Sequence, residues 1–152
     1  MGTKKKSWLL IAMLALTAAP SMAQYRVDRL ITAGRSALFY EDYVLSIKYF
    51  NLAIGAKPYL YEPWYFRSVA KFSLDDYTGA ESDATEALQL NPYVNDIYDL
   101  RAICRIRQNN YEDAIKDYNR AIHLEPRNRN YWFNRALCYM QDKKYDESLN
   151  QL

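Results

Sequence analysis

The composition of the chain excludes several classes of protein before any motif is considered. The chain has 152 residues, half of them hydrophobic, with only four glycines and five prolines, which favours long helices over a turn-rich fold. When Lys4, Lys5 and Lys6 are left out, seventeen basic residues face eighteen acidic ones, so the charge gives no basis for binding nucleic acid.

Residues 1–23 have the three parts of an export signal. Three lysines precede an apolar run at 8–19, Pro20 follows, and Ser21 and Ala23 are the small residues that a signal peptidase recognises. We therefore expect a cleavable signal peptide, cut between Ala23 and Gln24, and a periplasmic or secreted protein. An uncleaved anchor is the alternative. However, about 12 apolar residues are fewer than the roughly 20 that span a bilayer, so no stable membrane span is expected after cleavage.

The rest of the chain repeats itself every 34 residues. The recurring residues are Pro58, Pro92 and Pro126, and Tyr43, Tyr77, Tyr111 and Tyr145. This register divides the chain into units at 27–60, 61–94 and 95–128 and a truncated fourth unit at 129–152. A fixed period of this length, with two amphipathic helices in each unit, is typical of a helical solenoid.

The predicted helices follow in chain order. After a lead-in at 24–26, unit one has helices at about 27–40 and 43–57, and unit two has helices at 62–74 and 77–90. In unit three, a polar turn at 108–110 separates the two helices. Unit four has a first helix at 130–141, a turn at 142–144 and the beginning of a second helix. Small residues occupy one column of the first helices, where two helices must approach closely: Gly34, Ser68, Ala102 and Ala136.

Two segments carry a resemblance to a known family: 64–92, WYFRSVAKFSLDDYTGAESDATEALQLNP, and 98–126, YDLRAICRIRQNNYEDAIKDYNRAIHLEP. Their period, column order and closing proline resemble the tetratricopeptide repeat (TPR) family, from Val27 to the end of the chain. The resemblance implies an all-α fold, a right-handed α-solenoid of antiparallel helix pairs with a 34-residue period. It also implies a scaffold that binds a partner protein or peptide on its concave groove, here in the cell envelope.

Arginines and aspartates form two further columns. Arg67, Arg101 and Arg135 lie on first helices, and Asp83 and Asp117 lie on second helices. Unit one has neither residue in these columns, where Ala33 and Tyr49 stand instead. This joint occurrence indicates Arg–Asp pairs, either within a unit or onto the next one. The functional alternative is a ladder of arginines that binds anions.

The remaining reactive side chains do not form a catalytic or metal site. Cys104 and Cys138 lie one period apart on adjacent first helices, at a spacing of roughly 8–10 Å that is too wide for a disulfide, so we expect buried free thiols. His123 is the only histidine and is expected on the exposed side of a second helix. The sequence has no nucleophile–base set and no phosphate-binding glycine loop. We therefore expect neither an enzyme nor a cofactor.

The resemblance assigns one side of the first helices to the groove. The residues expected to contact a partner are Arg35, Tyr65, Phe72, Asp99, Phe133 and Met140. For Tyr65 and Phe133, packing between units is an equal alternative. Family members that bind chaperone tails hold a terminal carboxylate with lysine and asparagine. Here Val69, Ile103 and Leu137 occupy the asparagine column, so a chaperone tail is not the expected ligand.

Two other interpretations remain open. The chain is alternatively the N-terminal module of a longer envelope enzyme or anchored protein, because Leu152 falls within a predicted second helix and no polar capping helix follows. Self-association through the open C-terminal face of unit four is a further possibility.

Overall fold

The computed structural model describes residues 20–149, and within them the chain forms only helices and turns. The seven helices of this part are α1 Pro20–Phe39, α2 Tyr43–Ala56, α3 Tyr61–Ser73, α4 Tyr77–Leu90, α5 Asn95–Arg107, α6 Tyr111–Leu124 and α7 Arg129–Leu149. The expected all-α helical repeat fold is confirmed. The predicted signal peptide at 1–23 lies almost wholly outside the described residues, as do the last three residues of the fourth unit.

The turn inside each helix pair is built from two adjacent residues that recur with the period. Glu41, Asp75 and Asn109 have φ angles of 60°, 61° and 60°, in the left-handed region. The residue after each of them caps the second helix, because Asp42, Asp76 and Asn110 accept hydrogen bonds from the backbone N–H groups of Leu45, Gly79 and Asp113. Asn and Asp tolerate the left-handed conformation better than most side chains.

The fourth unit departs from this pattern, and the predicted turn at 142–144 does not form. Helix α7 continues without interruption from Arg129 to Leu149. Lys143 and Lys144 occupy the two turn positions, where the other units have an acidic residue or asparagine. A lysine side chain neither favours the left-handed conformation nor accepts the capping hydrogen bond, so helix propagation is preferred.

The first helix also begins earlier than expected. The lead-in at 24–26 belongs to α1, which is helical from Pro20, and proline is well tolerated in the first turn of a helix. Val27 is buried. The helices of unit two, by contrast, begin and end within one residue of the predicted bounds. The helices of unit three lie on either side of the predicted turn.

The two helices of a unit cross at the column of small residues. A Cβ atom on Gly34 would lie 2.6 Å from the buried ring of Phe50, so α1 and α2 are in direct backbone-to-ring contact. The Ser46 hydroxyl on α2 donates to the Gly34 carbonyl at 3.0 Å. In unit two the donor is on the other helix, since the Ser68 hydroxyl donates to the Ala80 carbonyl at 2.7 Å.

Consecutive units stack so that their first helices contact one another, α1 with α3 and α3 with α5. The main core lies between units two, three and four, around Ala87, Tyr98, Tyr118 and Tyr131. Among the described helices, none is both long and apolar enough to cross a bilayer.

Candidate functional site

The Arg and Asp columns meet inside units two and three. Arg67 on α3 donates from Nε and Nη2 to the two carboxylate oxygens of Asp83 on α4, both at 2.7 Å. Arg101 on α5 makes the same pair of hydrogen bonds to Asp117 on α6, at 3.0 and 2.6 Å. The sequence left open whether each arginine pairs with an aspartate of its own unit or of a neighbouring unit. In the structure, the bidentate pairs form within a unit.

The same arginines also reach back to the preceding unit through Nη1. The acceptors are one period apart on consecutive second helices: Arg67 donates to Asn51 at 2.6 Å, Arg101 to Thr85 at 3.1 Å and Arg135 to Asn119 at 2.5 Å. Sequence reasoning missed this acceptor column, although its 34-residue spacing was visible. Because the guanidinium groups are committed in this way, the column joins units together and does not form an open anion site.

Each buried aspartate also pairs with a second cationic side chain. Lys71 lies 2.9 Å from Asp83, and Arg105 lies 2.8 Å from Asp117. Arg105 also pairs with Glu81 of the preceding unit at 2.8 Å. The side chains of Asp83 and Asp117 are each only 3% exposed, so these charges are desolvated and fully paired.

The arginine column is also stacked on an aromatic column at the beginning of each first helix. The guanidinium carbon lies 4.9 Å from the ring of Trp64 for Arg67 and 4.8 Å from the ring of Trp132 for Arg135. The Trp64 and Trp132 indoles donate to the carbonyls of Pro58 and Pro126, the closing prolines of the preceding units. These contacts hold the first helices in a fixed register.

The opposite side of the first helices carries the predicted partner-binding residues. We define the groove face as the side of α3, α5 and α7 formed by Tyr65, Val69, Phe72, Asp99, Ile103, Ile106, Phe133, Leu137 and Met140. In units two and three these residues are half-buried. In unit four, Phe133 is 64% and Met140 is 53% exposed.

Aromatic rings line the end of this surface nearest unit one. Tyr65 and Phe66 have ring centroids 5.1 Å apart, and Phe72 packs edge-on against Tyr77 at 5.5 Å. Arg35 is exposed on α1, with its guanidinium carbon 5.0 Å from the Phe66 ring centroid. Tyr65 and Phe72 thus contribute both to packing and to the surface.

Polar atoms without partners collect at the beginning of α5. Asp99 Oδ1, Asn95 Oδ1 and the Tyr118 hydroxyl are buried and make no hydrogen bond of good geometry within the described part of the chain. Burial raises the pKa of Asp99, and the nearby Tyr118 hydroxyl only partly offsets this. The pKa of Tyr118 is raised by burial and then by the Asp99 charge.

A pocket of about 370 Å³ lies between α5, α6 and α7, and of these three residues Tyr118 lines it. Its lining is Ile103, Ile106, Tyr111, Tyr118, Asn134, Leu137, Cys138 and Gln141. Three of these residues belong to the groove face, and Tyr118 lies at the pocket's buried side. A larger hollow of about 940 Å³ lies away from it, on the outer side of unit one around Leu30, Tyr49 and Leu52.

The other reactive groups lie outside any catalytic arrangement. Cys104 and Cys138 are buried free thiols, and burial raises their pKa values to about 12 and about 11. His123 is exposed in the last turn of α6. No group of three or more potential metal ligands occurs among residues 20–149.

Comparisons with known proteins agree with this architecture. The family model described as tetratricopeptide repeat matches residues 100–152. The first TPR of Spaghetti (RPAP3), solved with the HSP90 peptide SRMEEVD, is 27% identical with a TM-score of 0.72, over 75% of this chain and 90% of that one. The first TPR domain of human RPAP3 is 26% identical with a TM-score of 0.74, over 80% and 96%.

A third structure shows the same fold at lower identity. MamA is 20% identical with a TM-score of 0.75, over 91% of this chain and 78% of that one. No curated protein matches the chain.

Proposed function

We propose that this chain, which belongs to the tetratricopeptide repeat family, is a protein-interaction scaffold that binds a partner peptide or protein segment along its groove face. The observation that carries the proposal is the contrast between the two sides of the first helices. One side is occupied by the hydrogen bonds of the arginine ladder, whereas the other exposes Phe133 and Met140 near a pocket that is lined by apolar side chains and the Tyr118 hydroxyl. Exposed aromatic anchors beside a pocket are typical of binding surfaces.

The arginine ladder supports this function indirectly. Each arginine joins its own unit to the preceding one, so the first helices are held rigidly side by side. A rigid surface binds a flexible segment with a smaller loss of conformational entropy in the protein.

The related RPAP3 domain was solved with the chaperone peptide SRMEEVD. The groove face of the present chain has Val69, Ile103 and Leu137 in the column where chaperone-tail binders carry asparagine. We therefore propose a partner other than an acidic chaperone tail.

Export to the periplasm or the cell exterior is also part of the proposal. It is supported by the lysines, apolar run and small residues of 1–23. A cut between Ala23 and Gln24 would leave residues 24–39 of α1 and the buried Val27 in place. Intact-mass measurement of the protein expressed from its full sequence tests this, because cleavage removes 23 residues and an uncut product would contradict it.

A non-catalytic role completes the proposal. Tetratricopeptide folds generally serve as interaction scaffolds, and we assign no cofactor, metal or nucleic acid to this one. Assays of the purified protein should therefore detect binding without turnover.

The groove assignment is tested by capturing partners from a cell-envelope extract. We expect the double variant Tyr65→Ala with Phe133→Ala to lose proteins that the unaltered chain retains. The control is Tyr59→Ala with Tyr93→Ala, which removes two exposed tyrosines from the loops between units. An identical set of partners for all three proteins would contradict the assignment.

One observation favours self-association as a second use of the chain. Trp132 and Tyr139 on α7 are each 47% exposed, whereas Tyr98, which occupies the position of Trp132 in α5, is 6% exposed. A second copy could cover this surface. Sedimentation that shows only a monomer at high concentration would exclude this second use.

A further inference from the structure

We call the part of the groove face around Asp96 and Asp99 its acidic end, and within residues 20–149 neither carboxylate forms an ion pair. Asp99 Oδ1 is buried without a hydrogen bond of good geometry. The hydroxyl of the fully buried Tyr118, which lines the pocket, lies near Asp99 and Asn134 but likewise makes no hydrogen bond of good geometry. Elsewhere in the structure, buried aspartates such as Asp83 and Asp117 each have two cationic partners. Asp99 is therefore an exception in a chain that pairs its other buried acids, and leaving a carboxylate unpaired is costly.

The charges that act on Tyr65, Asp99 and Tyr131 at this point are those of acids. After burial, Asp96 and Asp99 are the main cause of the raised pKa of Tyr65. Burial, and after it the charges of Asp99, Asp96 and Glu125, raise the pKa of Tyr131 to about 12. Asp142 acts in the same direction on Cys138, at the far side of the pocket.

The basic residues of the same surface are engaged elsewhere. Arg107 lies two turns beyond Asp99 on α5, with its guanidinium over the ring of Tyr77. Arg35 lies over the ring of Phe66 on the unit-one side. Neither guanidinium therefore neutralises the acidic end.

The walls of the pocket suit the stem of a long basic side chain. Ile103, Ile106 and Leu137 supply apolar surface, and Asn134 and Gln141 supply polar groups around the same space. Lysine and arginine bury their methylene stems against apolar surface while the charged end binds an anion. A volume of about 370 Å³ is sufficient for one such side chain.

We propose that the pocket between α5, α6 and α7 receives a lysine or arginine side chain of the partner segment, with the Tyr118 hydroxyl on the pocket lining as an acceptor and Asp99, beside Tyr118, as the counter-charge. This inference rests on the proposed function and specifies its ligand. The partner segment is basic and apolar, which is the opposite of an acidic tail. The groove face would bind one basic side chain of the partner in the pocket between α5, α6 and α7. Aromatic or aliphatic side chains of the partner would bind on both sides of that pocket.

The test uses arrays of random octapeptides, acetylated and amidated at their ends, with one central residue fixed as lysine, arginine, norleucine or glutamate. The labelled full chain should be retained about tenfold better by the lysine and arginine sets than by the norleucine set, as expected for a charge-assisted hydrogen bond. The glutamate set should retain least.

Three variants assign the preference to the pocket. Asp99→Asn keeps the side-chain shape and should reduce lysine and arginine retention to the norleucine level. Tyr118→Phe should reduce it by about threefold, because a neutral acceptor contributes less than a carboxylate. The control Glu112→Gln removes an acid whose side chain is 77% exposed and should leave the preference unchanged. Thermal denaturation of each variant verifies folding.

The outcomes separate this inference from the proposed function. Equal retention by the lysine and norleucine sets, or a preference for glutamate, would overturn the cation pocket while leaving the groove as a binding surface. An unchanged lysine preference in folded Asp99→Asn would also overturn it. If the unaltered chain is retained by none of the four sets, peptide binding by the groove fails and the cation pocket fails with it.

Discussion

Arg101 and Asp117 face each other across the helix pair of unit three, with Arg101 Nη2 2.6 Å from Asp117 Oδ1 and Arg101 Nε 3.0 Å from Asp117 Oδ2. Arg67 and Asp83 repeat this bidentate pair one unit earlier. Since the third nitrogen of each guanidinium binds a side chain of the preceding unit, one residue type fixes both the helix pair and the stacking of pairs.

The first prediction concerns the energy of this pair. Arg101→Leu should lower the free energy of unfolding by about 3 kcal/mol, because it removes one of the two cations from a buried carboxylate. When Asp117→Asn is already present, the same change should cost about 2 kcal/mol less. Urea denaturation of the four proteins in this double-mutant cycle measures the coupling.

The control cycle uses the exposed pair of Lys116 with Glu112, whose atoms lie 2.9 Å apart. Its coupling should not exceed about 0.5 kcal/mol, as is usual for surface ion pairs. Additive effects of Arg101→Leu and Asp117→Asn would contradict the pairing.

The second prediction compares two glycines. Gly34→Ala should destabilise the protein by about 1–3 kcal/mol, since the new methyl group would lie 2.6 Å from the buried ring of Phe50. Gly55→Ala has no atom within 4 Å of the new methyl group and should stabilise α2 by about 0.5 kcal/mol. Thermal denaturation measures both, and equal effects would mean that α1 and α2 do not touch at Gly34.

The third prediction concerns pH. Burial raises the pKa of Asp99 above its unfolded value of about 3.9, so the folded state binds this proton more tightly than the unfolded state. Asp99 therefore contributes stability below about pH 4, and this contribution is lost as the pH rises through the folded pKa.

The measurement is the difference in free energy of unfolding between Asp99→Asn and the unaltered chain. As the pH rises from about 4 to 7, the variant should become more stable relative to the unaltered chain. Chemical denaturation across that range provides the values. A difference that does not vary with pH, or that varies in the opposite direction, would mean that Asp99 is not held in a desolvated site.

The fourth prediction concerns the thiols. Cys104 and Cys138 are buried and have pKa values of about 12 and about 11, so few thiolate groups exist at pH 8 and reagents cannot reach them. Ellman's reagent should label both residues in urea but neither one rapidly in the folded protein. Rapid labelling of the native chain would show that the column opens to solvent.

The repeat register accounts for how much of the fold was predictable. The residues that recur with Pro92, Trp64 and Ser68 mark helix ends and contacts between helices in each unit. The helices of unit two therefore begin and end within one residue of the predicted bounds. The pairing of Arg101 with Asp117 was also accessible, because two columns occurred together. Sequence alone left its partner undecided between two units, since the choice depends on the crossing geometry of the helices.

Other features of the structure cannot be predicted from the 34-residue pattern, because they depend on individual side chains and on contacts between helices. Helix α7 passes through the predicted turn because Lys143 and Lys144 lack the backbone preference and the acceptor that form the other turns. Asp99 was expected on the groove, but the burial that raises its pKa, and the partial offset by Tyr118 of another helix, depend on how the helices pack. Asn51 and Thr85 were overlooked because hydrogen-bonding columns are less conspicuous than aromatic ones.

The most direct test of the central claim is site-specific photocrosslinking from two equally exposed positions. Benzoylphenylalanine would replace Phe133 on the groove face or Tyr59 in the loop after α2; these residues are 64% and 63% exposed. In an envelope extract, position 133 should form crosslinks to a partner that are lost on competition with the unlabelled chain, and position 59 should form none. Crosslinks from position 59 that equal or exceed those from position 133 would contradict binding along the groove face.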